Sequence, residues 1–256
     1  MNKNKIYKFL LIVIFVPIFF LLAQSIIMRY DYTNILPSSI NINNFTKLFS
    51  KNNIILLLSS IILSLTAAVI TVIISLPISK LLSKYNINNV LYIILMLPIL
   101  IPQLVYVFGI HSALTKFHLN NTLVAVLISH IIAMIPYAIF NLAAEYNLIG
   151  DKYEEVAKTM GADDIKVFFD ITFPLMKYTM INTIGLLFII SFSQYFLTLI
   201  IGGGVIKTYA IYLFPLIQSN DRNYAAKAMV VYVLINIISY LLIVKFNRRD
   251  KNYENN

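Results

Sequence analysis

Phe117 to Ala144 reads FHLNNTLVAVLISHIIAMIPYAIFNLAA, 28 residues without a charged side chain. An α-helix needs about 20 such residues to cross a bilayer core. Outward from this run, uncharged stretches occupy 9–28, 52–79, 85–115 and 178–206, all long enough to span. A sixth, 228–244, has 17 residues and completes a span if Lys227 snorkels outward. The 256 residues are 59% hydrophobic and 12% charged, with mean hydropathy +0.81, which excludes an ordinary soluble domain. The runs predict an all-α, polytopic membrane protein with six transmembrane helices, forming a single domain over 1–256.

Six spans use roughly half of the chain, so no loop has room for a catalytic or nucleotide-binding domain with its own core. Without cysteine there is no disulfide, thiolate nucleophile, iron–sulfur cluster or cysteine-ligated zinc. The net charge of +9 sits beside the apolar runs, so membrane lipid is the expected partner and nucleic acid is not. Alternate loops carry 13 basic residues on the N-terminal side against 7 on the other. Both termini are therefore expected in the cytoplasm of a bacterial-type plasma membrane, together with the segment 145–177.

Local features refine the spans. The start, Met1 to Lys8, carries three lysines and feeds a 20-residue run. That run is longer than a signal-peptide core of about 7 to 15 residues, which predicts an uncleaved first helix bearing a kink or packing surface at Pro17. Arg29 to Asn53, with Asp31 and Pro37, reads as a solvated connection. Pro77, Lys80 and Lys84 mark the exit of the second span, and Pro98 with Pro102 predicts a distorted third. Thr208 to Asn220 is too short to span and is expected to lie against the surface or re-enter.

The segment 145–177 holds seven of the eleven acidic residues against four lysines. Asp151 and Glu154 have capping-box spacing. Behind them Tyr153, Val156, Ala157 and Met160 repeat at i, i+3, i+4 and i+7, an apolar stripe on a short helix. Gly161 interrupts the pattern, Asp163 or Asp164 can cap a second helix, and Ile165, Phe168, Phe169 and Thr172 repeat the spacing up to Pro174. A lipid-binding helix would be lysine-rich, so this acidic one is expected to face a protein.

Glu155 to Pro174 reads EVAKTMGADDIKVFFDITFP. It resembles the signature of integral-membrane permeases of binding-protein-dependent ABC importers, the MetI-like family: E-A-A, three residues, G, nine residues, I-x-L-P. Glu155, Ala157, Gly161, Ile171 and Pro174 match, whereas Val156 replaces an alanine and Phe173 a leucine; the wider resemblance covers about 52–246. It implies a cytoplasmic coupling helix that docks on a separate ATPase subunit. Glu155 would contact that subunit or brace the loop, Ala157 would permit close approach, Gly161 would supply the turn, and Ile171 with Pro174 would fix the second helix to the membrane domain. The implied complex contains two ATPase subunits, which hold ATP and Mg, a second permease, identical or related, and an extracytoplasmic solute-binding protein. This chain itself would carry no cofactor and no enzymatic site.

Other patterns weigh less. Gly202-Gly203-Gly204-Val205-Ile206-Lys207-Thr208 lacks the glycine that a phosphate-binding loop places directly before Lys-Thr, and reads as a tight bend. An ion-coupled carrier, the main alternative, often buries carboxylates or cations, yet the centres of the six runs contain no Asp, Glu, Lys or Arg. His130 is the intramembrane titratable residue and reads as a packing or hydrogen-bonding group. An intramembrane enzyme would need more than isolated Ser191, Ser193 and His130. His111 and His118 have no acids arranged around them as a metal site. Gln103, Gln194, Tyr195 and Asn236 are candidate pathway residues, offering neutral hydrogen bonds. Ser193-Gln194-Tyr195 followed by Leu199-Ile200-Ile201-Gly202-Gly203-Gly204 is similar to the branch of spermidine/putrescine, thiamine and ferric-iron importers, which implies a polyamine-type or thiamine-type solute.

Overall fold

Hydrocarbon offers no hydrogen bonds to a backbone, so long uncharged runs must satisfy their peptide groups internally as helices. The computed structural model describes residues 3–29, 39–40, 45–85, 89–219 and 221–254. In chain order they form α1 (Lys3–Ile26), a two-stranded antiparallel ribbon of β1 (Ile27–Arg29) and β2 (Ser39–Ile40), α2 (Phe45–Leu48) and α3 (Lys51–Lys84). Next come α4 (Asn89–Leu100), α5 (Gln103–Lys116), α6 (Leu123–Ile149), α7 (Lys152–Thr159) and α8 (Asp164–Val167). A π-turn (Phe168–Thr172) leads into α9 (Phe173–Phe192), followed by α10 (Phe196–Gly202), α11 (Tyr209–Gln218) and α12 (Arg222–Glu254).

Four of these are long and apolar enough to span: α3, α6, the continuous helix Asp164–Phe192, and Arg222–Ile243 within α12. A bent pair, α4 and α5, raises the number to five if counted as one span. The chain is thus a multi-pass, all-α membrane protein. Asp31 and Pro37 of the expected solvated connection lie outside the described residues.

Several boundaries differ from the sequence reading. The helix itself does not stop at Pro77: α3 carries Pro77 inside it and runs on to Lys84. The distortion expected from Pro98 and Pro102 falls at Pro102, where the chain turns through 105° between α4 and α5, while Pro98 stays inside α4. The run 178–206 is not one helix. α9 stops at Phe192, Ser193 Oγ donates to Ile190 O at 2.9 Å, and the chain restarts as α10 at Phe196. Polar side chains that bond the local backbone compete with the helical ladder, which accounts for the break.

The chain divides into two compact units, Met1–Leu58 with Thr208–Ile238, and Ser59–Lys207 with Ser239–Asn256. In the first, Thr208 caps α11, whose ten residues match the expected non-spanning segment. The Tyr209 hydroxyl donates to Ala228 O at 3.1 Å, and the Asn223 amide donates to Ser25 O at 3.1 Å. Lys227, expected to snorkel outward, is instead fully buried with its ammonium 5.3 Å from the centre of the Phe45 ring. The face of an aromatic ring stabilises a cation away from water, so this lysine need not reach the interface.

In the second unit α6 packs against α4, α9 and α10. Lipid is as apolar as leucine, so these helices are held by close packing and hydrogen bonds rather than by a hydrophobic difference. The buried face of α3 is accordingly rich in small residues, with Ser60, Ser64, Ala67, Ala68, Thr71, Ser75 and Ser79 beside Leu63, Val72 and Leu76. Val107, Leu114, Val126, Ala133, Leu197 and Ile201 form a core between α5, α6 and α10. The glycine triplet closes α10: Gly203 adopts φ +54°, and a Cβ there would overlap the Asn121 side chain. Only glycine fits both the left-handed turn and the contact.

Candidate functional site

The segment between α6 and α9 forms a helical hairpin. α7 ends at Thr159 with Met160 as its C-cap, Gly161 turns the chain at φ +87°, and Asp163 caps α8 by accepting from Lys166 N at 3.0 Å. The glycine turn and the Asp163 cap therefore stand as the local pattern indicated.

The capping box does not form. Asp151 already has helical dihedrals, φ −83° and ψ −10°, and its side chain makes no cap hydrogen bond. Its carboxylate lies 3.5 Å from Lys84 Nζ, and Glu154 Oε2 accepts from Lys80 Nζ at 2.5 Å. The other oxygen, Glu154 Oε1, accepts from the Thr172 hydroxyl at 2.7 Å. For Glu154 the charge-assisted bond to Lys80 outbids a neutral backbone N–H, and Asp151 faces Lys84 on the same helix. Burial by itself raises the Glu154 pKa, but the bonds from Lys80 and Thr172 and the charges of Lys80 and Lys158 hold it below the ordinary 4.5.

That depression has a testable sign. The ionised Glu154 stabilises the fold fully above pH 4.5, and its contribution is lost as pH falls from there through the lower folded value. Thermal unfolding of the detergent-solubilised chain should show Glu154→Gln below wild type by a constant margin above pH 5, closing progressively under about pH 4. A margin independent of pH over that range would contradict the assignment.

The motif residues are placed as follows. Glu155 is exposed on α7, Ala157 is half-buried, and Pro174 lies in the first turn of α9, exposed. Ile171 lines a small cleft with Tyr146, Ile149, Glu154, Thr172 and Leu175. The stripe on α7 is left uncovered: Tyr153 and Val156 are each 60% exposed and Met160 83%, and α7 buries no residue. Ile165 and Phe169 are exposed as well, but Thr172 is buried. The π-turn adds a residue to the helical repeat, which rotates Thr172 off the face that i, i+7 spacing would give it. The joining of Glu154 to Lys80 and to Thr172 was missed by sequence reasoning, since the partners lie 74 and 18 residues away.

Of the candidate pathway residues, Gln103 and Gln194 meet. Gln103 Nε2 donates to Gln194 Oε1 at 2.6 Å, which joins the start of α5 to the break before α10. Tyr195 is half-buried in that break. Asn236 lies on α12 in the other unit and donates to Tyr232 O of its own helix at 2.9 Å. His130 is buried, with Nδ1 2.8 Å from Ser191 Oγ and Nε2 2.9 Å from Thr198 Oγ1. Among the described residues no three His, Cys, Asp or Glu side chains are grouped as metal ligands.

Residues 52–251 match the family described as binding-protein-dependent transport system inner membrane component. The chain is 29% identical over 218 residues to the molybdate/tungstate transport system permease protein WtpB of Methanocaldococcus jannaschii, covering 81% of this chain and 87% of that protein. It is 26% identical over 115 residues to the spermidine/putrescine transport system permease protein PotC homolog of Mycoplasma pneumoniae, covering 45% of this chain and 40% of the homolog. The inner membrane ABC transporter permease protein YnjC of Escherichia coli is 25% identical over 148 residues, 58% of this chain; the match spans 29% of the length of YnjC. In fold, the chain is similar to a crystal structure of a bacterial ABC transporter involved in the import of the acidic polysaccharide alginate. The TM-score is 0.71 at 18% identity, covering 95% of this chain and 94% of that one.

Proposed function

The chain belongs to the family of binding-protein-dependent transport system inner membrane components, and on that premise we propose that its α7 hairpin is the part that docks on an ATPase subunit. The chain is a permease subunit of an ABC importer that moves a small solute, with ATP hydrolysed by separate ATPase subunits. The observation that carries the docking reading is the uncovered apolar face of α7, formed by Tyr153, Val156 and Met160. A cluster of exposed apolar side chains on an otherwise charged helix marks a surface suited to a protein partner. Glu155, exposed beside it, supplies a charge at the rim, and Ala157 leaves room for close approach; Gly161 turns the chain, and Ile171 with Pro174 joins the hairpin to α9.

In this reading residues 1–256 form one transmembrane domain with its core over 52–246, six spans and both termini in the cytoplasm. The 13 to 7 basic bias supports the orientation, which places 145–177 beside the ATPase. A second permease, identical or related, completes the path, and an extracytoplasmic solute-binding protein delivers the solute. Gln103, Gln194 and Tyr195 offer neutral hydrogen bonds at two helix breaks along that path, with Asn236 as a further candidate. The solute is of polyamine or thiamine type. The Ser193-Gln194-Tyr195 pattern and the likeness to a spermidine/putrescine permease homolog support that class.

The test is reconstitution in lipid vesicles with its ATPase and binding protein, where uptake of radiolabelled spermidine or thiamine should require ATP. Uptake by this chain alone, driven by an imposed ion gradient, would overturn the ABC reading in favour of a secondary transporter. In cells, a cysteine at Lys158 should be protected from an impermeant thiol reagent and one at Val205 labelled. The reverse pattern would invert the topology.

A further inference from the structure

We propose that Glu154, the residue before the family's motif glutamate, is the positioning residue that carries movement of α7 into the membrane helices. This rests on the permease reading above, in which α7 is the docking element.

Three observations converge on Glu154. First, α7 has no buried face: none of its residues is buried, and Tyr153, which borders the cleft beside Ile171, is still 60% exposed. Second, glycines with left-handed backbones flank it, Gly150 at φ +69° and Gly161 at φ +87°, and a Cβ on either would meet nothing within 4 Å. A helix joined to its neighbours through two such turns, with no buried face, would pivot when pushed and dissipate the push. Third, the Glu154 side chain is only 13% exposed and uses both oxygens on different elements. Lys80 on the last turns of α3 takes one at 2.5 Å, and Thr172 in the π-turn takes the other at 2.7 Å. One carboxylate thus ties α7 to two long apolar helices.

The π-turn gives the Thr172 bond its consequence. A π-turn carries an extra residue and a weaker register than the α-helix around it, and such turns occur where helices adjust at functional sites. A pull on the Thr172 hydroxyl acts on α9 at that adjustable turn, while the Lys80 bond acts on α3. The neighbouring Lys84–Asp151 pair is longer, 3.5 Å, with side chains 44% and 40% exposed, and an exposed pair of that kind contributes little. Glu155 faces outward and makes none of these contacts.

The experiment uses the full complex in vesicles and measures ATP hydrolysis and solute uptake together. Glu154→Gln keeps an acceptor for Thr172 but loses the ion pair; Lys80→Met loses the same pair from the other side. Each should assemble and hydrolyse ATP at a rate near wild type, while solute moved per ATP falls by about tenfold, a typical coupling between sites. The exchange Lys80→Glu with Glu154→Lys should restore the ratio to within about threefold, as expected when two groups act through each other. Thr172→Val, which removes only a hydroxyl, should lower the ratio even if the charge variants insert poorly. A wild-type ratio in Glu154→Gln and Thr172→Val would overturn the proposal, as would an exchange that fails to rescue. If the wild-type complex itself shows no ATP-dependent uptake, the permease reading falls and this inference with it. Coupled wild-type transport with unaffected variants refutes the Glu154 role alone.

Discussion

Replacing Gly161 by valine is expected to leave membrane insertion near normal and to reduce coupled transport by about tenfold or more. Gly161 sits at φ +87°, where a β-branched residue is a conformational outlier costing roughly 1 to 3 kcal/mol. No atom lies within 4 Å of where a Cβ would be, so the cost within this chain comes from the backbone and not from a clash. The chain escapes the strain by rewinding the turn, and that swings α7 relative to α8. Both the exposed face of Tyr153, Val156 and Met160 and the Glu154 carboxylate then lose their places. The reconstituted complex should retain less ATPase subunit on purification or move less solute per ATP. Gly161→Asn is the control, because asparagine tolerates the left-handed region and should keep most of the coupling. Full retention of subunit association, hydrolysis and transport in Gly161→Val would show that the turn is only a tolerated break.

The same position shows what a sequence can and cannot disclose. Gly161 was legible because its signal is local: a glycine between two apolar repeats, followed by an acid three residues before Lys166. The long uncharged runs were legible for a similar reason, since lipid imposes one composition along a whole span. Asp151 and Glu154 were misread because local spacing suggested a backbone partner, while Lys80, far back on α3, offered Glu154 a stronger one and left no cap to complete with Asp151. Lys227 was misread because the aromatic ring that receives it, Phe45, lies 182 residues earlier in the chain. The break at Ser193-Gln194-Tyr195 was hidden inside an uncharged run, where hydropathy sees no interruption, although three adjacent polar side chains were a usable hint. The π-turn left no trace in the pattern beyond Thr172 sharing a helical spacing with Ile165 and Phe169 that the folded chain does not honour.

His130→Ala is expected to destabilise the chain by roughly 2 to 5 kcal/mol, the cost usual for truncating a large buried side chain. His130 holds α6 to α9 and α10 at the same time, through Ser191 and Thr198. The hydrogen positions follow from the neighbours. Thr198 Oγ1 donates its one proton to Gln194 O at 2.6 Å, so it accepts from His130 Nε2–H. In the neutral ring Nδ1 then carries no proton and accepts from the Ser191 hydroxyl. A neutral imidazole with both nitrogens engaged by hydroxyls, and no carboxylate bonded to either, is arranged to brace helices and not to shuttle protons. Removing it leaves Ser191 without an acceptor, opens a void, and frees the Gln194 break that meets Gln103. Thermal unfolding in detergent should fall by roughly 4 to 20 °C, at about 2 to 4 °C per kcal/mol for a chain of this size. His130→Gln, which can donate and accept, should recover part of the loss, and ATP-driven uptake in that variant should keep the wild-type pH profile between pH 6 and 8. If His130→Ala unfolds like wild type, the histidine is not a brace. If His130→Gln instead is stable but makes uptake insensitive to a proton gradient that drives the wild type, the ring moves protons and the chain works as an ion-coupled carrier.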